Sequence, residues 1–163
     1  MAMGVLGLLV AGCAAGGRIV DGDYVHPGKG YRVGLPEGWT AEPGTPDLAL
    51  RHPALGVSVM VHGTCEGRPP SRPLPLLARH LRFGLRDVEV ERQEETRLGG
   101  YPALETHWRG RLDGRPVQGR GVVVKTRGCV YDLAVVARPD AFEQAQAAFD
   151  RLLRSFHLMG GTP

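Results

Sequence analysis

The chain of 163 residues contains no Cys-x-x-Cys pair, no His-x-x-x-His or His-Glu-x-x-His arrangement and no Gly-x-Ser-x-Gly elbow. Each absence removes a class of chemistry. The six histidines lack the spacings that bring two ligands to one metal ion. The three serines, Ser58, Ser71 and Ser155, lack the strained strand-to-helix turn that presents a hydrolase nucleophile. Gly28-Lys29-Gly30 precedes a strand-like segment and Gly119-Arg120-Gly121 lies within one. A phosphate cradle needs strand, loop and then helix, so these glycines read as bulges or bends. Repeats and low-complexity tracts are also missing. The first apolar run, residues 3–9, falls far short of the roughly 20 residues a bilayer crossing needs.

Lysine is scarce: 18 of the 20 basic residues are arginine. The formal charge of +3 and the isoelectric point near 9.0 invite a nucleic-acid reading. The arginines are scattered, however, acids are interleaved with them, and no nucleic-acid-binding motif is present, so that class is excluded. Weak attraction to anionic lipid, of order 1 kcal/mol per well-placed basic residue, fits the pattern better.

Behind the short apolar run stands Val10-Ala11-Gly12-Cys13. Small residues before a cysteine, after an apolar segment of signal-peptide length, resemble the lipobox of a bacterial lipoprotein. This pattern predicts cleavage before Cys13 and lipid on its sulfur. Residues 1–12 carry no charge, so the basic opening usual in a signal peptide is missing. One acyl chain holds a protein only marginally and several hold it firmly. Ala14 follows the cysteine, which resembles outer-membrane sorting in a two-membrane cell. The small, Gly-rich residues after Cys13 read as a flexible spacer, 13–23. Lipidation of Cys13 would leave Cys65 and Cys129, an even pair in an oxidising compartment, each beside a likely strand end. They are expected to form a disulfide.

Alternation predicts strands at 31–35, 48–52, 57–61, 88–97, 103–112, 116–126 and 129–137. The segment 88–97 reads as an edge or a strand with one solvated face. Asp113-Gly114 between two strand-like runs signals a hairpin, and the short connections that follow predict a meander. Leu74, Leu77, Ala78, Leu81 and Leu85 recur at helical spacing. So do Phe142, Ala145, Phe149, Leu152, Leu153 and Phe156, after an Asp140…Glu143 pair that reads as a capping box. The fold class expected is α+β: an antiparallel sheet flanked by helices.

Candidate chemistry is sparse. His52, His62 and His107 are the histidines that could converge on a ligand or metal; His80 lies between arginines, a poor place for a cation. Asp132 and Glu105 are single strand carboxylates rather than a spaced acid–base pair. Trp39 reads as a packing anchor with ligand stacking as the alternative.

Tyr31-Arg32-Val33-Gly34-Leu35-Pro36-Glu37-Gly38-Trp39 is similar to the opening of PsbP/Mog1-like domains, which include small bacterial envelope lipoproteins. Leu98-Gly99-Gly100-Tyr101-Pro102-Ala103, the hairpin, the Gly-aromatic strand at 128–133 and the closing Leu152-Leu153-Arg154-Ser155-Phe156 follow in the same order. The resemblance spans 24–158 and implies an antiparallel sheet sandwiched by helices. It also implies a binding or accessory role rather than catalysis, because the family's roles share binding; none of its functional residues maps onto this chain. The expected organisation is a signal peptide at 1–12, a tether at 13–23, the domain at 24–158 and a tail at 159–163. The expected function is a non-enzymatic, lipid-anchored cell-envelope protein that binds an envelope protein or peptide partner. Its partners would be the membrane, through the lipid, and that protein; nucleic acid would not be one. No cofactor and no metal site are expected. A small-ligand or metal-binding envelope domain is the alternative.

Overall fold

The computed structural model describes residues 16–43, 46–68 and 70–160. The signal-peptide and Cys13 readings fall outside the described residues.

Among the described residues, eleven strands form two antiparallel sheets. The larger contains β4 (Thr40–Pro43), β5 (Leu48–His52), β6 (Val57–Cys65), β7 (Arg86–Leu98), β8 (Tyr101–Leu112), β9 (Arg115–Lys125) and β10 (Cys129–Ala137). Their spatial order is β4-β5-β6-β10-β9-β8-β7, so the expected meander β7-β8-β9-β10 is continuous. The smaller sheet is β1 (Arg18–Val20), β2 (Asp23–His26), β3 (Tyr31–Gly34) and β11 (His157–Leu158), in the order β1-β2-β3-β11. The described residues also form the α-helices α1 (Leu74–Leu77) and α2 (Phe142–Ser155). This is the expected α+β class.

Period-two alternation divides the large sheet into two buried faces. Val57, Val59 and Val61 of β6 and Tyr131, Leu133 and Val135 of β10 pack with Ala145, Phe149, Leu152 and Phe156 and with Tyr24, Tyr31 and Val33 of the small sheet. Phe149 has no exposed surface. On the opposite face, Leu104, Trp108, Val123 and Ala134 pack under Ala78 and Leu81. Every turn of the meander is tight. At Asp113-Gly114 both residues take positive φ, 50° and 77°, the conformation a two-residue hairpin demands and that Asp-Gly adopts at little cost. The edge strand β7 is exposed along nearly its whole length and rich in charge, which protects an open edge from pairing with other chains.

Four expectations need correction. The spacer 13–23 is partly folded: β1 pairs with β2, Ile19 opposite Tyr24, so the body begins by Arg18. The first helix is one α-turn followed by a 3-10 turn, Ala78–Arg82. Pro73 and Pro75 crowd its start, and a 3-10 turn brings residues i and i+3 into line, which places Ala78 and Leu81 together on the sheet. The Asp140…Glu143 capping box does not form. Asp140 lies in a 3-10 turn, Pro139–Ala141, and α2 starts after Ala141 without a side-chain cap; Asp140 instead lies 3.2 Å from Arg138. Finally, Gly119 and Gly121 are neither bulges nor bends, since β9 pairs in unbroken register with β8 and β10. A Cβ on Gly119 would lie 2.3 Å from Trp108 Cε2, and one on Gly121 would lie 2.4 Å from Leu81 Cδ1. Glycine here makes room for the indole to lie across the strand.

Candidate ligand cleft

Asp132 is an acid within the apolar run of β10. Its parity sets it on the face of Val130, Ala134 and Val136, and its register partners are His62 on β6 and Val123 on β9. Side chains of directly paired residues share a face, so the sheet presents the row His62, Asp132, Val123. Val123 is covered by the cluster around Ala78 and Leu81. Asp132 lies where that cover ends.

There a cleft of about 360 Å³ opens, with Asp132, Val130 and Thr64 on the sheet side and Leu77, His80, Ser71 and Arg72 across from them. Pockets of roughly 300–1,000 Å³ suit small molecules. The Asp132 Oδ1 is buried and has no hydrogen-bond partner. Burial pushes its carboxyl up to about 6, against the opposing charges of His62 and His80. An acid held in this condition is costly to the fold and common at functional sites.

The disulfide frames this cleft. Cys65 and Cys129 pair across β6 and β10 and are bonded. Their chain neighbours Thr64, Glu66, Gly128 and Val130 all line the cavity. Glu66 N–H donates to Gly128 O at 3.1 Å, and the Thr126 hydroxyl accepts from Cys129 N–H at 3.0 Å. The wall is therefore fixed covalently and by backbone bonds, while the opposite wall is formed by Ser71 and Arg72 of the proline-rich loop and by Leu77 and His80 of the helical turns that follow.

The other candidates are dispersed. His52 packs edge-on to Trp39 with ring centroids 5.4 Å apart, and Trp39 packs against the core, in keeping with an anchor. His62 Nδ1 lies 3.3 Å from Asp47. His107 is on the α2 face, where its Nε2 is 2.7 Å from Glu105. These three histidines do not converge, and among the described residues no group of three His, Cys, Asp or Glu side chains is placed to hold a metal. Ser155 is structural, accepting from Gly34 N–H and donating to Leu152 O. Ser58 is an exposed strand residue. Ser71, His80 and Asp132 do line one cleft, yet among the described residues no hydrogen bond joins any two of them.

Two polar networks escaped the sequence reading. Glu105 accepts two hydrogen bonds from Arg120, each 3.1 Å, and Arg120 reaches on to Asp150 of α2 at 2.6 Å. Burial raises the Glu105 carboxyl, but the bonds and charges of Arg120 and His107 outweigh it and hold it below the usual range. The guanidinium also stands 5.4 Å from the Phe149 ring centroid, so this network fastens α2 to the sheet. Asp47, 6% exposed, accepts from Gly63 N–H at 2.8 Å and the Tyr31 hydroxyl at 3.0 Å and pairs with Lys29. It ties the two sheets together. Both carboxylates are satisfied, which sets Asp132 apart.

No protein-family model and no curated protein matches this chain. Solved structures do. A cyanobacterial PsbP protein from Synechocystis superposes with a TM-score of 0.64 at 18% identity, covering 96% of this chain and 98% of its own. LpqN of Mycobacterium tuberculosis, described as involved in cell envelope biogenesis, superposes at 0.60 and 14% identity over 80% of this chain and 83% of its own. A Pseudomonas aeruginosa protein of unknown function gives 0.52 at 14% identity, with 81% and 92% covered. At these identities the likeness is one of architecture. The fold of this chain is that of a PsbP/Mog1-like domain.

Proposed function

We propose that the protein is a lipid-anchored cell-envelope protein that acts as a non-enzymatic accessory module and binds its partner or ligand in the Asp132 cleft. The observation that carries the binding role is the Asp132 carboxylate lining an open cavity, with its Oδ1 buried and unpartnered. A buried polar group without a partner costs stability, and a ligand supplying a donor removes that cost. The lipid anchor is supported by Val10-Ala11-Gly12-Cys13 and by the place where the body starts. Strand β1 begins at Arg18, five positions beyond Cys13, so even a fully extended tether spans only about 18 Å. The folded body would then stand close to the membrane. No helix among the described residues is long and apolar enough to cross a bilayer, and one structural neighbour is an envelope-biogenesis protein.

A hydrolase is the second reading, because Ser71, His80 and Asp132 share the cleft. It is disfavoured by the missing hydrogen bonds, since a nucleophile needs its base, and the base its orienting group, within reach. Fluorophosphonate labelling that is lost in Ser71→Ala would establish it.

Two measurements test the main proposal. Radiolabelled palmitate should enter the chain expressed in bacteria and not its Cys13→Ala variant, with the labelled protein in the envelope fraction; an unlabelled chain in the cytosol overturns the anchor. Native mass spectrometry of the Cys13→Ala chain after incubation with envelope extract should reveal an added mass. That mass should vanish when Thr64→Trp fills the cleft; no added mass, or one unaffected by the block, overturns the binding role.

A further inference from the structure

The cleft holds two opposite charges that make no hydrogen bond or ion pair among the described residues, although His62 and His80 lend Asp132 some opposing charge. Asp132 has no hydrogen bond or ion pair among the described residues. Arg72, an exposed residue at the edge of the cavity, also has no side-chain partner among the described residues; only its backbone carbonyl is engaged, by Lys125 at 3.0 Å. The remaining charges differ. Arg68 is matched by Glu66 at 3.1 Å, and that pair stands at the rim, largely exposed. Leu77 and Val130 add apolar surface to a lining that also carries the polar side chains of Thr64, Ser71 and His80.

Resting on the reading of this cleft as the binding site, we propose that its ligand is a small zwitterion of amino-acid to short-peptide size, with its ammonium on Asp132 and its carboxylate on Arg72. A lone cation at Asp132 would leave Arg72 facing a like charge, and a lone anion at Arg72 would face the Asp132 carboxylate. A molecule carrying both charges satisfies both walls at once. Charge-assisted hydrogen bonds are the strong ones, and a guanidinium matches a carboxylate with two parallel donors. The apolar surface of Leu77 and Val130 accepts a methylene or side chain. The volume of about 360 Å³ sets the upper size. His62, His80 and Glu66 are the other titratable groups around Asp132 and its cleft.

Glycine, glycylglycine and triglycine form a series of backbone-only zwitterions with increasing charge separation. They are titrated into the full Cys13→Ala chain while the carboxyl carbon of Asp132 is followed by NMR. At least one should move that resonance and lower the pH at which Asp132 titrates. Its N-acetylated and C-amidated forms should each bind at least about tenfold more weakly. Asp132→Asn should erase the preference over the acetylated form, and Arg72→Gln the preference over the amide. If no member of the series moves the resonance, or the capped forms bind equally well, the zwitterion assignment falls. An added mass from envelope extract that Thr64→Trp still abolishes would then show that the cleft binds another class of molecule. Absence of both signals would remove the binding role as well.

Discussion

Asp132→Asn should make the protein more stable at neutral and alkaline pH. The carboxyl moves from 3.8 in the unfolded chain to about 6 in the folded one. Each pH unit of such a shift corresponds to about 1.4 kcal/mol, so ionised Asp132 costs the native state about 3 kcal/mol. The sign follows from proton binding. Between the two values the folded chain holds a proton that the unfolded chain has released, and stability falls as pH rises through that interval. Below 3.8 the penalty is absent, and above about 6 it is complete. Asparagine removes the charge but keeps the shape, and its amide still lacks a partner. The expected gain at pH 8 is therefore about 1–3 kcal/mol, or about 3–10 °C in melting temperature for a chain of this size. Urea melts of both proteins at pH 4, 6 and 8 measure it. The difference should be near zero at pH 4 and grow through pH 6; taking the difference cancels groups common to both proteins, such as Asp47 and Glu105. A variant that is equally or less stable at pH 8, or a difference that ignores pH, refutes the argument. A stabilising substitution at this one carboxylate would mark it as retained for function rather than for the fold.

Other substitutions test the frame around the cleft. Arg120→Ala removes two of the hydrogen bonds to Glu105, leaving it His107 and Arg92, and unfastens α2, at a cost of about 1.5–3 kcal/mol in chemical denaturation. Because Glu105 is held below its ordinary 4.5, it adds stability above that pH which is lost in acid, and the variant should show a shallower acid limb. Gly119→Ala drives a methyl into the Trp108 ring and should cost about 1–3 kcal/mol or more. Gly128→Ala, whose Cβ would meet nothing nearer than 4.0 Å, should be near neutral by the same thermal melt. The double Cys65→Ser, Cys129→Ser variant opens a loop with a sequence separation of 64 and should lose about 4 kcal/mol in the chain-entropy account. Reductant should produce the same loss in the native protein and none in the variant.

Much of the architecture was legible along the chain because it is written in short-range periodicity. Alternating valines in 57–61, the 142–156 apolar stripe and Asp113-Gly114 each specify their own local geometry, and the structure has all three. The pairing of Cys65 with Cys129 followed from counting cysteines once Cys13 was assigned to lipid. Local signals failed where packing outweighed them. Helical spacing at 74–85 became a single α-turn and a 3-10 turn, and the Asp140…Glu143 pair did not cap.

The site lay beyond such reading. An aspartate in Val130-Tyr131-Asp132-Leu133 shows a parity, toward a face that the same sequence marks as apolar, and that was the signal available. Its lack of a partner depends on residues as far away as His62 and Arg72. Glu105 looks equally isolated in the sequence, yet it is fully bonded through Arg120, which in turn reaches Asp150, 30 positions further on. Strand and helix follow from the order of neighbouring side chains. Whether a buried charge finds an opposite one depends on which distant segments the folded chain brings within 3 or 4 Å, and that distance has no counterpart in local periodicity.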